Sequence, residues 1–388
     1  MAESKLEQEA MEELMRVDEI PIRCHLLKRL CRVVVGMILS RSIAPSRIAA
    51  SLASAEVGEA TEESLERQVR RYENDERVTA ECSFHPFARQ RLLLGRPKEL
   101  LLVLDPTTQE DRVVMVMISV WYRGTALPLA WTLWPGNQPL EGMRFWQRIA
   151  QLLKLVQQLL PPALPVILLA DRAFGTPVFT DRVVELGWHY VVRIQGQTRY
   201  RDYQGHELPV ATLVPAVGAR KKLAAYLFKK QGWRWVSLVA FWGERQQQPL
   251  LLVSSLPPAW HLIKLYKRRF SIEALFRDCK SDGWHFEQGQ VVDLDHLQRL
   301  LIAMAFATWL TLLVGSAVAN SILARLPTGK RRTRPYDAKF SLFEHGLRHL
   351  HRHRRRFRLA DCLLDFHVHL NWFHQLSFLH QRAFVFSC

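Results

Sequence analysis

A chain of 388 residues with 48% hydrophobic and 23% charged composition reads as a folded, soluble protein of two or three domains with a large core. Its formal net charge of +16 points to a polyanionic partner, because each phosphate neutralised by Lys or Arg releases condensed counterions. Membrane surface is the competing polyanion, and a mere solubility trait is the bland account of the same charge.

The first residues, Met-Ala-Glu-Ser-Lys-Leu-Glu-Gln-Glu, are acidic and polar, which excludes an ordinary secretory signal. Residues 1–95 form a helical N-terminal region. Leu26, Leu27, Leu30, Val34, Val35, Ile38 and Leu39 recur at helical spacing before a break at Pro45. A short helix over 46–52 and a basic amphipathic helix over 64–72, with Arg67, Arg70 and Arg71 open to solvent, follow. Small helices with basic faces suit a helix-turn-helix-like DNA reader, and a helical cap with solvated arginines fits equally well. From Glu99 the pattern turns to strands: 100–104 ending at Asp105, 113–121 with β-branched alternation, and 126–134 after Arg123-Gly124. A helix over 138–160, a buried strand over 165–170 ending in Asp171, a helix over 177–186 and a strand over 190–194 complete residues 96–196 as an α/β arrangement with a mixed sheet.

Residues 197–247 break that rhythm with short strands, glycine turns and the clusters Arg220-Lys-Lys222 and Lys229-Lys230, and read as a β-rich insertion. Trp233, Trp235 and Trp242 lie in it, either as stacking surfaces for nucleic-acid bases or as the insertion's own core. Residues 248–325 resume the sheet, enter a helix after Pro257-Pro258 and end in the apolar run 300–319, which is long enough to span a membrane. Thr308, Thr311, Gly315 and Ser316 within it favour a buried helix packed on a sheet. The C-terminal region, 326–388, is basic at Lys330-Arg331-Arg332 and from Arg348 to Arg358, where histidines alternate with arginines. The six cysteines, at 24, 31, 82, 279, 362 and 388, include no Cys-x-x-Cys pair and imply reduced cytosolic thiols.

The most informative feature is the recurrence of Tyr266, Arg269, Glu273 and Lys280 at spacings of three, four and seven. At about 100° per residue the four side chains fall inside an arc of about 60° of one helix. Leu265, Ile272, Leu275, Phe276 and Cys279 make the neighbouring apolar stripe. The acid suits a metal, Arg269 and Lys280 suit phosphate oxygens, and the tyrosine suits a phosphate or base; a salt-bridged surface is the bland alternative. Asp105 and Asp171, each after a buried apolar strand, add two carboxylates. Three hard oxygen ligands suit Mg²⁺ or Mn²⁺ in a two-metal site for phosphodiester chemistry. No Walker loop, Rossmann glycine fingerprint or Ser-His-Asp set competes.

On these residues the chain resembles the DDE transposases of the insertion sequence 4 group. Tyr266, Arg269, Glu273 and Lys280 match that group's Tyr-x2-Arg-x3-Glu-x6-Lys motif without a gap, Asp105-Pro-Thr107 resembles its first-aspartate block and Ala170-Asp-Arg-Ala-Phe-Gly175 its second. The resemblance covers roughly residues 95–310. It implies a ribonuclease-H-like mixed sheet flanked by helices, with a β-rich insertion before the catalytic glutamate helix and a helical N-terminal region. It also implies metal-dependent cleavage at transposon ends, a DNA hairpin and its opening, and strand transfer into target DNA. Asp105, Asp171 and Glu273 would hold the metals, Tyr266, Arg269 and Lys280 would grip phosphates, and one of Trp233, Trp235 or Trp242 would stack a flipped base. The expected partners are the terminal inverted repeats and target DNA, with a homodimer in the DNA complex, no membrane, and a prokaryotic, nucleoid-associated cytoplasmic location. An inactive DNA-binding relic, a ribonuclease-H-like nuclease without strand transfer and a membrane protein anchored by 300–319 are the rival readings.

Overall fold

The structure, a computed structural model, describes residues 23–55, 60–95, 97–109, 112–288, 291, 293–325 and 340–353. The chain divides into two compact units, one built on a sheet (residues 100–158 and 165–276) and one built of helices (from residues 1–99, 159–164 and 277–388).

The sheet unit starts with three antiparallel strands, β1 (Leu100–Gln109), β2 (Val113–Tyr122) and β3 (Thr125–Pro135). Arg123 and Gly124 both take positive φ (50° and 88°) between the paired residues Tyr122 and Thr125. Two left-handed residues match the twist of the flanking strands, so a two-residue hairpin forms there. Helix α5 (Gly142–Leu159) crosses to β4 (Val166–Ala170), and α6 (Pro177–Glu185) crosses to β5 (His189–Arg193). β4 pairs in parallel with both β1 and β5, and all five of its residues are buried. A parallel strand covered on both faces has no polar side to show, which is why Val166-Ile-Leu-Leu-Ala170 reads as an unbroken apolar run. The order β3-β2-β1-β4-β5, with β2 alone reversed, is the ribonuclease-H-like arrangement.

The β-rich insertion does not form a sheet of its own. β6 (Arg199–Arg201), β7 (Glu207–Pro209), β8 (Arg220–Leu227), β9 (Arg234–Phe241) and β10 (Leu250–Ser254) continue the same sheet in the order β5-β10-β9-β8-β6-β7, giving ten strands among the described residues. β10 is antiparallel to β5 and carries the chain to α7 (His261–Lys267) and α8 (Ser271–Arg277). The single helix expected through 266–280 is corrected here. A 3₁₀ turn, Arg268–Phe270, separates α7 from α8, and a π turn, Asp278–Asp282, follows. The tighter and wider turns change the angle per residue, so the four motif positions do not share one ideal face.

The helical unit contains α1 (Cys24–Ser40), α2 (Pro45–Ser54), α3 (Glu62–Glu73) and α4 (Phe84–Gly95), with α9 (Leu294–Arg325) and α10 (Leu342–His353). Within this unit α9 packs against α1, α3, α4 and α10. Among the described residues it is the one single helix long and apolar enough to cross a membrane, and 89% of its apolar window is buried inside the protein. The pair α1 and α2 reaches the same length only across an 86° bend. Hydrogen bonds within the unit hold α9: Thr308 Oγ1 donates to the Met304 carbonyl and accepts from Trp284 Nε1 at 2.9 Å, and the Tyr72 hydroxyl donates to the Arg299 carbonyl at 2.8 Å. α9 and α10 meet at Gly315 and Gly346. A Cβ on either glycine would stand 1.8 Å from a carbonyl oxygen of the facing helix, so only glycine admits that approach. On α3, Arg67 and Arg70 are exposed as expected but pair with Glu63 and Glu66 one turn earlier. The clusters at Lys330-Arg331-Arg332 and beyond His353 lie outside the described residues.

Asp278, in the π turn, is buried, and burial pushes its carboxyl up to about 7, with Asp282 and Glu344 adding to the rise and Arg277 opposing it. A carboxyl raised in the folded state holds its proton longer than the unfolded chain does. Stability therefore falls as pH rises from the ordinary carboxylate range through about 7, and the full cost persists above that. Asp278→Asn is expected to raise stability by on the order of a few kcal/mol at pH 8, and to lose that advantage near pH 4. Thermal melts of both proteins across pH 4–8 check it; a constant difference across the range would refute it.

Candidate active site

β1 and β4 place the two aspartates side by side. Leu104 pairs with Ala170 in the last register position of the parallel ladder, so Asp105, still within β1, and Asp171, just past the end of β4, directly follow that pair. In-register neighbours of parallel strands point to the same face. Asp105 is not at the end of its strand, as the sequence suggests, because β1 runs on to Gln109 paired only with β2. Asp171 precedes a 3₁₀ turn, Arg172–Phe174, that opens the path to α6.

The α7–α8 segment then closes over these acids through two of its side chains. The Tyr266 hydroxyl donates to Asp171 Oδ1 at 3.2 Å. Arg269 donates from Nη1 to Asp105 Oδ2 at 2.9 Å and from Nη2 to Glu273 Oε1 at 2.6 Å, so one guanidinium ties two carboxylates. Arg269 is 7% exposed and Asp105 13%, whereas Glu273 is 53% exposed. The apolar stripe Leu265, Ile272, Leu275 and Phe276 is buried, which fixes the segment so that these heads reach the acids. Lys280 belongs to the helical unit and faces Glu287 Oε1 there at 3.5 Å. The structure thus brings Tyr266 to Asp171, and Arg269 to Asp105 and Glu273, out of residues that the sequence spacing had only singled out. Spacing did not reveal that Tyr266 and Arg269, expected to face phosphate, are already engaged with carboxylates.

The electrostatics follow from burial and proximity. Burial pushes the Asp105 carboxyl up to about 6; Arg269 opposes the rise, and the charges of Asp171 and Glu273 add to it. Burial also holds the Tyr266 phenol well above its ordinary range. For Arg269 burial works against the charge, yet Tyr266, Asp105, Asp171 and Glu273 outweigh it and the guanidinium is held more firmly protonated than usual. Three carboxylates against one guanidinium leave excess negative charge on oxygen donors. That donor set fits a hard divalent cation in type and in charge. Among the described residues no three His, Cys, Asp or Glu side chains form a ready metal-holding group. Arg269 supplies the positive charge between Asp105 and Glu273.

Sequence reasoning passed over Phe270. Its ring is 51% exposed beside the site, 6.5 Å from the Tyr266 ring, and the Arg269 guanidinium lies over it at 4.8 Å. The signal available was a phenylalanine directly after the motif arginine, on a stretch whose other apolar residues make the buried stripe. Arg268 stacks on Trp121 at 4.4 Å, which anchors the same turn to β2.

The three tryptophans of the insertion have different settings. Trp242 is half-buried and its Nε1 donates to the Gln246 carbonyl at 3.1 Å, which pins the turn after β9. Trp233 lies under the Arg201 guanidinium at 4.8 Å. Trp235 is 43% exposed and stands opposite Tyr226, with ring centroids 4.9 Å apart. Alternation along β8 puts Arg220, Lys222 and Tyr226 on one face, and Arg220 and Lys222 both lie over the Trp260 ring at 5.4 and 5.7 Å.

Residues 147–310 match the family described as Transposase DDE domain, a span that includes Asp171, Tyr266, Arg269, Glu273 and Lys280 and begins after Asp105. No curated protein matches the chain. Among solved structures, a piggyBac transposase synaptic complex with hairpin DNA, seen by electron cryo-microscopy, is similar over 95% of this chain and 83% of its own. The identity is 10% and the TM-score 0.44.

Proposed function

We propose that the chain is a transposase of the insertion sequence 4 group that cuts transposon ends and joins them to target DNA. The observation that carries this reading is the convergence of Asp105 and Asp171, next to the last pair of the β1–β4 ladder, with Glu273 through the shared guanidinium of Arg269. The Transposase DDE domain match over 147–310 supports the same reading. Asp105, Asp171 and Glu273 would hold Mg²⁺ or Mn²⁺ as a two-metal site. When bound, the ions would stabilise the attacking and leaving oxygens of an in-line displacement at phosphorus.

The chain's own residues have the remaining work. Arg269 keeps the acids together and, being planar and always charged, is suited to pass from carboxylate to phosphate without losing its proton. Tyr266 fixes Asp171 through its hydroxyl. Lys280 is the further phosphate-binding cation of the proposal. The exposed ring of Phe270 offers a base a surface beside the cleavage point, and the Tyr226–Trp235 pair offers another on the insertion. The partners in this reading are the element's terminal inverted repeats and target DNA, bound by a homodimer in a prokaryotic cytoplasm.

The test is cleavage of duplex DNA that carries the element's own inverted repeats, in Mg²⁺ and in EDTA. Mg²⁺-dependent cutting with hairpin intermediates and joined products is expected. Cutting without joining would make the chain a nuclease, and binding without cutting an inactive relic. On the insertion, Trp235→Ala is expected to weaken binding of DNA with an unpaired base by about tenfold, within the roughly 1–3 kcal/mol that one stacked base supplies, with an unchanged melting temperature. Trp242→Ala is expected to lower the melting temperature instead. Fluorescence anisotropy with thermal melts reads both, and the reverse pattern would reassign the two tryptophans.

A further inference from the structure

A groove of about 780 Å³ within the helical unit is walled by arginines. Arg41 and Arg47 reach it from the corner between α1 and α2, Arg277 from the end of α8, and Arg348 from α10. Each guanidinium is fixed along one side. Arg41 donates to the Asp282 carbonyl, Arg47 donates to Gln288 Oε1 at 2.9 Å, Arg277 pairs with Asp282 at 3.2 Å, and Arg348 pairs with Glu344 at 2.6 Å. A guanidinium has more N–H donors than one such contact uses, and a head held along one edge is pre-set to accept an anion on the other. Three acids, Asp278, Asp282 and Glu344, share the lining, so four arginines against at most three carboxylates leave at least one positive charge in excess. Arg47, whose partner is an amide, carries that excess.

The backbone adds an independent observation. Arg41 (φ 54°) and His285 (φ 48°) both line the groove in the left-handed region that favours glycine. Arg41 is the residue that closes α1, with its N–H bonded to the Met37 carbonyl, a position where glycine would sit without strain. A long cationic side chain is held there instead, with its head turned into the groove.

We propose that this groove is a second phosphodiester-binding site, which grips the sugar-phosphate backbone of duplex DNA through Arg47, Arg277 and Arg348. The choice of DNA rests on the function proposed above; the groove itself needs no metal and uses none of the carboxylates at Asp105, Asp171 or Glu273. Its signature is therefore a salt-dependent affinity measurable in EDTA.

The experiment is a salt titration of the full chain against a labelled duplex oligonucleotide in EDTA, read by anisotropy. The double variant Arg47→Ala/Arg277→Ala is expected to bind about tenfold more weakly, with the slope of log affinity against log salt reduced by about two, since each lost phosphate contact removes close to one. Its melting temperature is expected to match the parent. If the double variant melts early, Arg47→Ala alone, on an exposed side chain, is read for a slope change of about one. Wild-type affinity and slope in the variants would overturn the proposal, and so would a mononucleotide that binds the parent as tightly as the duplex does. A chain that shows the groove signature yet never cuts in Mg²⁺ would sink the catalytic reading alone. Cutting by a chain whose groove variants bind normally would sink the groove alone.

Discussion

Asp105→Asn is expected to lower Mg²⁺-dependent strand cleavage by at least about a thousandfold, which corresponds to roughly 4 kcal/mol of transition-state stabilisation, while the protein remains folded. The substitution keeps the shape of the side chain and removes only its negative charge. In the site geometry that charge is one of the carboxylates converging with Arg269, and a two-metal mechanism needs it as a ligand. Stability is expected to move the other way. Burial already pushes the Asp105 carboxyl up to about 6, with Asp171 and Glu273 adding to the rise, so the ionised form is the strained one and a neutral amide relieves it. Single-turnover cleavage in Mg²⁺ and thermal melts in EDTA together separate the two effects. Loss of cleavage with a collapsed melting temperature would mean that Asp105 is structural, and retained cleavage would remove it from the metal site.

Arg269→Ala carries the second large effect. Its guanidinium is nearly buried and ties Asp105 to Glu273, 164 and four residues away in sequence. Removing one partner of a buried ion pair costs about 3–5 kcal/mol, because the remaining charges lose their compensation. Glu273 is half in solvent, which places the expectation near the lower figure. For a unit of this size about 3 kcal/mol corresponds to a fall of roughly 6–12 °C in melting temperature. A divalent cation supplies the missing positive charge, so millimolar Mg²⁺ is expected to recover more melting temperature in Arg269→Ala than it adds to the parent. Calorimetry in EDTA and in Mg²⁺ gives both numbers. An Arg269→Ala protein that melts like the parent in EDTA would show that the bridge does not hold the acids together. Equal gains in Mg²⁺ would show that metal and arginine do not share a site.

The legible part of the fold lay where local pattern and burial agree. Val166-Ile-Leu-Leu-Ala170 is apolar on both faces because it is covered on both, and Arg123-Gly124 forms a hairpin because two residues there take positive φ. β1 was harder to read. Beyond Leu104 it alternates between exposed and half-buried positions and pairs with β2 alone, so the apolar signal stops five residues before the strand does. The insertion read as a separate element because glycine turns and basic clusters break the α/β rhythm there, yet each of its strands finds a partner on the growing edge of one sheet. The Tyr266–Lys280 stretch looked like one helix because spacing carries no mark of the 3₁₀ and π turns that interrupt it.

Sequence by itself determined which residues could do chemistry with phosphate: two aspartates following apolar strands, and a glutamate, arginine, tyrosine and lysine at helical spacing. Those are properties of side-chain type and periodicity, which are local. Only the tertiary structure decided how the charges are used. The parallel register of β1 and β4 sets Asp105 beside Asp171, the buried stripe Leu265, Ile272, Leu275 and Phe276 seats α7 and α8, and Arg269 then finds a carboxylate on each side. Lys280 falls past the π turn and pairs with Glu287 instead. An ion pair depends on distances between remote parts of the chain, and spacing along one helix does not contain them.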